Sequence, residues 1–150
     1  MGIEIERKFL IDTTKLPQLG EGTALHQGYL SRRPAVRIRA TPKGAWLTIK
    51  GPGTLKRQEF EYPIPAADAQ QMLELCYARL SKHRYRLPFQ GHIWEVDEFL
   101  GMGAFWLAEI ELTTADESFE KPPWLGLEVT GDPHYTNIEI AEFGPPGRAR

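Results

Sequence analysis

Cysteine is almost missing from this 150-residue chain. Cys76 stands alone, so no disulfide can form within the chain and no thiolate cage can hold a metal. Net charge is nearly missing too: 18 Lys and Arg face 20 Asp and Glu, which leaves −2. So balanced a chain has no global attraction for nucleic acid or an anionic membrane, and any anion site must be a local concentration of basic residues. No stretch approaches the roughly 18 apolar residues of a membrane span, and no basic segment followed by an apolar run opens the chain. The expected location is the cytoplasm. The histidines His26, His83, His92 and His134 are scattered without ligand spacing, which suits surface or packing roles. Arg32-Arg33 is too short for a nucleic-acid patch and has no interleaved aromatics. Gly51-Pro52-Gly53 lacks the helix and Lys-Ser/Thr pair of a phosphate loop, so it reads as a turn.

What is present is an ordinary globular composition, 41% hydrophobic and 25% charged, enough for one domain with its own core. That domain is expected to span residues 1–143. Residues 144–150, Gly-Pro-Pro-Gly-Arg-Ala-Arg, read as a disordered tail. Alternation and turn signals predict strands near residues 3–11, 25–31, 35–40, 45–50, 56–64, 79–87, 92–99 and 105–113. Helical spacing of Ala69, Met72, Leu73 and Cys76 predicts a helix over 66–78, with Cys76 a buried thiol. A short helical turn is expected at 115–120, an apolar anchor at 123–127, a turn at 128–131 and a last helix at 136–143. The fold class is mainly β, or α+β by stricter counting, with about eight mostly antiparallel strands and one or two outer helices.

The charges on these strands fall on a period of two. In Glu4-Ile5-Glu6-Arg7-Lys8, the residues Glu4, Glu6 and Lys8 share one face, roughly 7 Å apart at alternate positions. Two carboxylates so close repel unless a positive charge separates them, which a divalent cation would do. The same period collects Glu59, Glu61, Glu95, Asp97, Glu109 and Glu111 as acidic members. Arg37, Arg39, Lys50, Arg57, Lys82, Arg84 and Arg86 are the basic ones. One wet face of an antiparallel sheet also shows such a pattern, and periodicity alone cannot tell inside from outside. Two features favour a shared interior. The charges come in same-sign pairs, and a solvated face usually mixes signs. Paired Arg and Lys also suit a polyphosphate, while paired Glu suits a hard divalent cation. If the strands close into a barrel, these sets form a metal-and-phosphate site. Arg7 interrupts the apolar face of the first strand and is expected to pair with an external acid. Trp46 shares a face with Thr48 and Lys50, and Arg86 stands near a strand end.

The ordered set of motifs resembles the CYTH domains, also called triphosphate tunnel metalloenzymes. Glu4-Ile5-Glu6-Arg7-Lys8-Phe9 is similar to the family's opening Glu-x-Glu-x-Lys signature. Gln27-Gly28-Tyr29-Leu30, Val36-Arg37-Ile38-Arg39, Thr48-Ile49-Lys50-Gly51, Arg57-Gln58-Glu59-Phe60-Glu61, Lys82-His83-Arg84-Tyr85, Trp94-Glu95-Val96-Asp97 and Ala108-Glu109-Ile110-Glu111 follow in the family's order. Glu128-Val129-Thr130 and Tyr135-Thr136-Asn137 resemble the end of compact bacterial members. The resemblance implies an eight-stranded antiparallel barrel around a charged tunnel, and a Mg²⁺- or Mn²⁺-dependent triphosphatase. It implies metal ligands among Glu4, Glu6, Glu109, Glu111 and Asp97. It implies triphosphate clamps in Lys8, Arg37, Arg39, Lys50, Arg57, Lys82 and Arg84, with Tyr29 facing the tunnel. The candidate catalytic residues are Lys8, Glu61, Glu109 and Lys82, with Glu61 or Glu109 orienting a water for in-line attack. The expected partner is a small triphosphate, foremost inorganic tripolyphosphate, without nucleic acid or membrane; a homodimer is allowed. The alternatives are a class IV-type adenylate cyclase, a thiamine triphosphatase and a non-catalytic binder of polyphosphate or nucleotide.

Overall fold

The structure is a computed structural model, and it describes residues 2–147. The chain forms β1 (Gly2–Ile11), β2 (Thr23–Arg32), β3 (Ala35–Thr41), β4 (Gly44–Lys50), β5 (Lys56–Ile64), α1 (Ala66–Leu75), β6 (Ala78–Phe89), β7 (His92–Phe99), β8 (Phe105–Glu111), β9 (Leu125–Glu128) and α2 (Asn137–Phe143). The strands hydrogen-bond in the order β5-β4-β3-β2-β6-β7-β8-β1, and β1 pairs with β5 to close an antiparallel barrel. Closure removes the open sheet edge that an eight-stranded sheet would otherwise present.

β1 is the strand on which closure depends. One of its edges pairs with β8 over Glu6 to Leu10. The other pairs with β5 as far as Ile5, where the Glu6 N–H still reaches the Leu55 carbonyl at 3.0 Å. Beyond that point β9, a ninth strand where the sequence predicts only an anchor and a turn, takes over the edge. The Val129 N–H donates to the Lys8 carbonyl at 2.8 Å. Arg7 points outward and clamps Glu128 of β9 through two hydrogen bonds of 2.7 and 2.6 Å, the external acid expected of it.

The barrel is charged inside and greasy outside. Ile5, Phe9, Trp94, Val96, Ala108 and Ile110 point outward and are buried beneath residues 112–125, with Trp124 and Phe119 packed edge-on against Trp94. A second outer cluster joins Ile38 and Ala45 to Ala69 of α1. The inward positions change character along four neighbouring strands. Leu10 follows Glu4, Glu6 and Lys8 on β1; Leu80 precedes Lys82 and Arg84 on β6. Phe99 follows Glu95 and Asp97 on β7, and Leu107 precedes Glu109 and Glu111 on β8. Because the strands alternate in direction, these apolar residues meet at one end, where they pack with Val129 and with Ile140 of α2. That end of the lumen is filled, and the charged remainder is a cavity.

Three local expectations change. α1 stops at Leu75 rather than residue 78 because the sheet captures the chain: the Tyr77 N–H donates to the Tyr29 carbonyl at 3.1 Å, and β6 begins at Ala78. Cys76, half-buried there, sits over Gly28, where a Cβ would lie only 2.7 Å from its sulfur, so the close approach requires glycine. Residues 115–120 form an irregular turn rather than a helical one. The Glu117 carboxylate accepts from the Thr113 N–H and hydroxyl at 2.6 and 2.7 Å and contacts His92 at 2.7 Å, bonds that compete with a helical backbone. Residues 144–147 run through a bend and a turn with Pro145 buried, and the rest of the expected tail lies outside the described residues. No helix among the described residues is long and apolar enough to cross a membrane.

The bonds from His92 and Thr113 hold the Glu117 carboxyl down at about 2. A depressed carboxylate stabilises the fold fully above its ordinary value of 4.5 and loses that contribution as pH falls through about 2. Glu117→Gln is therefore expected to lower the melting temperature at pH 7. The gap from wild type closes as pH approaches 2, as thermal unfolding across a pH series will read.

Candidate active site

Every one of the sixteen alternating charged residues except Lys82, Arg86 and Asp97 lines one cavity of about 260 Å³ inside the barrel. Period-two geometry turns the whole charged face of each strand inward, and register aligns the strands. Glu6 stands opposite Glu111, and Lys8 opposite Glu109. Glu4 stands opposite Arg57, Lys50 opposite Glu59, and Arg37 opposite Thr48. Tyr29, Ala35, Thr136, Asn137 and Ile138 complete the lining. The last three are the N-cap and first two residues of α2, a contribution to which strand alternation could not point.

Opposite charges interleave across the cavity. The Lys50 ammonium donates to both Glu4 oxygens at 2.9 and 3.2 Å and stands 3.5 Å from Glu59. Arg57 approaches Glu4 at 3.6 Å. Burial alone would raise the Glu4 carboxyl, but Lys50 and Arg57 outweigh it and hold Glu4 below the ordinary range. Arg37 contacts Glu61 at 3.5 Å, and Thr48 bridges them, taking a 3.2 Å hydrogen bond from Arg37 and donating a 3.0 Å one to Glu61. Glu61 is 45% exposed at this wall. Lys8 donates to the Tyr135 carbonyl at 2.9 Å and stands 3.6 Å from Glu109.

Glu6 is the exception among the carboxyls. Burial, the neighbouring Glu109 charge, a hydrogen bond to Glu109 and the charge of Glu4 push it well above the ordinary range. Glu109 goes the other way: burial opposes its ionisation, but Lys8, the Glu6 proton, Arg84 and Lys82 hold it well down. Arg39 is pushed down to about 9 by burial and by the positive charges of Arg37 and Arg84.

Lys82 and Asp97 lie beneath the cavity floor, 0% and 2% exposed at the side chain, and neither reaches the lining. Lys82 donates to Asp97 at 2.8 Å and to Asn137 at 2.9 Å. Asp97 also receives two hydrogen bonds from Arg84, at 2.8 and 2.9 Å. Burial and the charges of Arg84 and Arg39 push Lys82 down to about 7, against the pull of Asp97. Asp97 thus spends its oxygens on two cations, which turn Arg84 toward Glu109 at 3.1 Å and Glu95 at 3.3 Å. Arg86, 63% exposed and paired with Glu95, lies outside the lining. Trp46 does not reach it either.

The carboxylates Glu4, Glu6, Glu109 and Glu111 offer an oxygen-only donor set that suits a hard divalent cation, and the crowding of Glu6 against Glu109 and Glu4 is what such a cation relieves. Among the described residues, no three carboxylate, imidazole or thiol groups stand together at ligating spacing. The reason is visible in the ion pairs: Glu4 is turned to Lys50, and Glu109 to Arg84 and Lys8.

Asp97→Ala leaves Lys82 and Arg84 without their shared counter-charge, and loss of one partner from a buried pair costs about 3–5 kcal/mol. Urea unfolding is expected to show a loss of that size, well above that of Arg86→Ala at the exposed pair.

The family model of the CYTH domain matches residues 2–135. An inorganic triphosphatase of Acetivibrio thermocellus is 42% identical over 148 residues, 95% of each chain. An inorganic triphosphatase of Nitrosomonas europaea is 35% identical over 147 residues, covering 92% of this chain and 96% of the relative. The crystal structure of the inorganic triphosphatase NE1496 superposes with a TM-score of 0.68 at 32% identity, over 94% of this chain and 99% of that one. A putative adenylate cyclase from Bacillus halodurans, 20% identical with a TM-score of 0.58, shares the fold.

Proposed function

The chain belongs to the CYTH domain family, and from that premise we propose that it is a metal-dependent phosphoanhydride hydrolase acting on inorganic tripolyphosphate. The observation that carries this reading is the single cavity in which Lys8, Arg37, Arg39, Lys50, Arg57 and Arg84 surround carboxylates that crowd one another at Glu4, Glu6 and Glu109. Six cations around one cavity suit a chain of phosphates, and the arginines among them suit two oxygens each. A purely anion-binding site gains nothing from the carboxylates. The lining is polar apart from Tyr29, Ala35 and Ile138, which favours a bare phosphate chain over a substrate carrying a base. The names of the two relatives point the same way.

Glu4, Glu6, Glu109 and Glu111 would hold Mg²⁺ or Mn²⁺, which when bound supplies neutralising charge at the phosphoryl oxygens. The protein's own residues do the positioning. Lys50 and Arg57 give up Glu4 and turn to phosphate oxygens, while Arg37 and Arg39 grip the chain from β3. Arg84, braced by Asp97 and Lys82 from below, presents its guanidinium to the same space. Glu61 orients a water in line with the terminal phosphorus. The water oxygen bonds to that phosphorus, the bridging P–O bond breaks, pyrophosphate leaves with the electron pair, and the proton lost by the water passes to the departing oxygen through solvent. Rate enhancement then comes from orientation and electrostatics without a protein nucleophile. Lys82 and Asp97 act as positioning residues in this scheme. A cytoplasmic setting belongs to the same proposal.

The test is phosphate release from tripolyphosphate with Mg²⁺ or Mn²⁺, beside ATP and thiamine triphosphate and with an EDTA control. Fast release from tripolyphosphate, abolished by EDTA, is expected. Glu4→Gln should lower kcat by about a hundredfold or more while circular dichroism stays unchanged. No release from any of the three substrates, or full activity in the Glu4 variant, overturns the reading.

A further inference from the structure

Gln27 is an uncharged hydrogen-bonding hub in a wall built mainly from ions. It is 1% exposed on β2, opposite Arg39 of β3. Its Oε1 accepts from Arg39 Nε at 3.1 Å, and its Nε2 donates to the Tyr29 hydroxyl at 3.2 Å. Nε2 also faces Asn137 Oδ1 at 3.5 Å, and that same oxygen accepts from Lys82. Arg39 and Lys82 can only donate, so each fixes which way the neighbouring amide points. A single side chain thereby orients two residues of the cavity lining, Arg39 and Tyr29, and reaches a third, Asn137 at the start of α2.

The choice of an amide has a physical reason. A buried guanidinium needs an acceptor to hold its plane, and elsewhere in this barrel the acceptors are carboxylates: Asp97 for Arg84, Glu4 for Arg57 and Glu61 for Arg37. Each of those also cancels charge. Among the described residues, no carboxylate stands within salt-bridge distance of Arg39, and the oxygen that holds it carries no net charge. Its full positive charge is left facing the cavity.

Resting on the triphosphate reading of the cavity, we propose that Gln27 is a positioning residue that aims Arg39 and Tyr29 at the substrate while leaving Arg39 un-neutralised, and so sets affinity for the phosphate chain. Two variants of nearly the same size separate the components. Gln27→Met removes the hydrogen bonds. Gln27→Glu keeps an acceptor for Arg39 but supplies the cancelling charge. Tripolyphosphate binding is measured by calorimetry in EDTA, and KM and kcat are measured with Mg²⁺. The melting temperature of each variant tracks folding.

In Gln27→Met, Kd and KM are expected to rise about tenfold, the scale of one charge-assisted hydrogen bond. kcat at saturation should stay within about twofold, the signature of lost uniform binding. Gln27→Glu should fold at least as well as Gln27→Met and yet bind tripolyphosphate no better. A merely structural role predicts the reverse: a lower melting temperature, unchanged Kd in the folded fraction, and recovery in Gln27→Glu. Unchanged Kd in Gln27→Met, or wild-type Kd in Gln27→Glu, overturns the proposal. If Gln27→Met does not fold, the Gln27→Glu arm decides. Because Kd is read without metal or turnover, a wild type that binds but does not hydrolyse tripolyphosphate sinks the hydrolase reading and leaves this inference to its own result.

Discussion

The structure depends on charge neutralisation inside a closed barrel. Carboxylates and cations packed into one lumen are costly to desolvate, and the cost is bearable only where each group has an opposite charge or a hydrogen bond beside it. Strand register supplies those neighbours. Lys50 on β4 meets Glu4 on β1, and Arg84 on β6 meets Asp97 on β7 and Glu109 on β8. Glu6 is the group the arrangement does not fully neutralise, and burial with the charges of Glu109 and Glu4 pushes its carboxyl well above the ordinary range. A one-residue slip of any strand would send its charges to the outer wall and its apolar residues into the lumen.

Filling the lumen with ions displaces the hydrophobic core. Phe9, Trp94, Val96, Ala108 and Ile110 bury themselves on the outer wall, so the chain must supply a cover for them. Residues 112–125 serve as that cover, held by Trp124, Phe119 and the Glu117–His92 contact. α1 covers the wall of β3 and β4 in the same way. Inside, Leu10, Leu80, Phe99 and Leu107 fill one end with α2, which confines the charged cavity to the remainder. The site is therefore bounded by an apolar plug at one end and braced from below by Lys82, Asp97 and Asn137.

The same ion pairs explain how such a cavity can exchange its contents. Lys50, Arg57 and Lys8 are held by carboxylates in the protein alone. A polyphosphate accompanied by a divalent cation brings negative charge for the cations and positive charge for the carboxylates at once. The exchange conserves neutrality, so neither half of the site is left with a buried, unpaired charge. On the proposed function, the carboxylates and the basic residues are one device, and the protein's internal pairs hold the place of a polyphosphate and its metal.

The sequence by itself determined the strands and their faces. Period-two alternation separated Glu4, Glu6 and Lys8 from Ile5 and Phe9, and same-sign pairing favoured a shared interior, while closure of the barrel was left to the tertiary structure. Family resemblance then ordered the motifs. Period also carries the signal of the apolar plug: Leu10, Leu80, Phe99 and Leu107 continue the charged faces in register, at opposite ends of their strands. Only tertiary structure decided what each inward residue does. Lys82 and Arg84 are two residues apart on one strand, yet one lies beneath the floor and the other lines the cavity, because the far side of each is set by Asp97, Asn137 and Glu109 from other elements. Asp97 carries the alternation of a lining residue and is spent on those cations. β9 and the irregular 115–120 segment also escaped the sequence, since an edge left open by β5 and a carboxylate satisfied by Thr113 and His92 are contacts across the fold. Alternation is a property of one strand, whereas depth, pairing and neutrality are properties of the closed barrel.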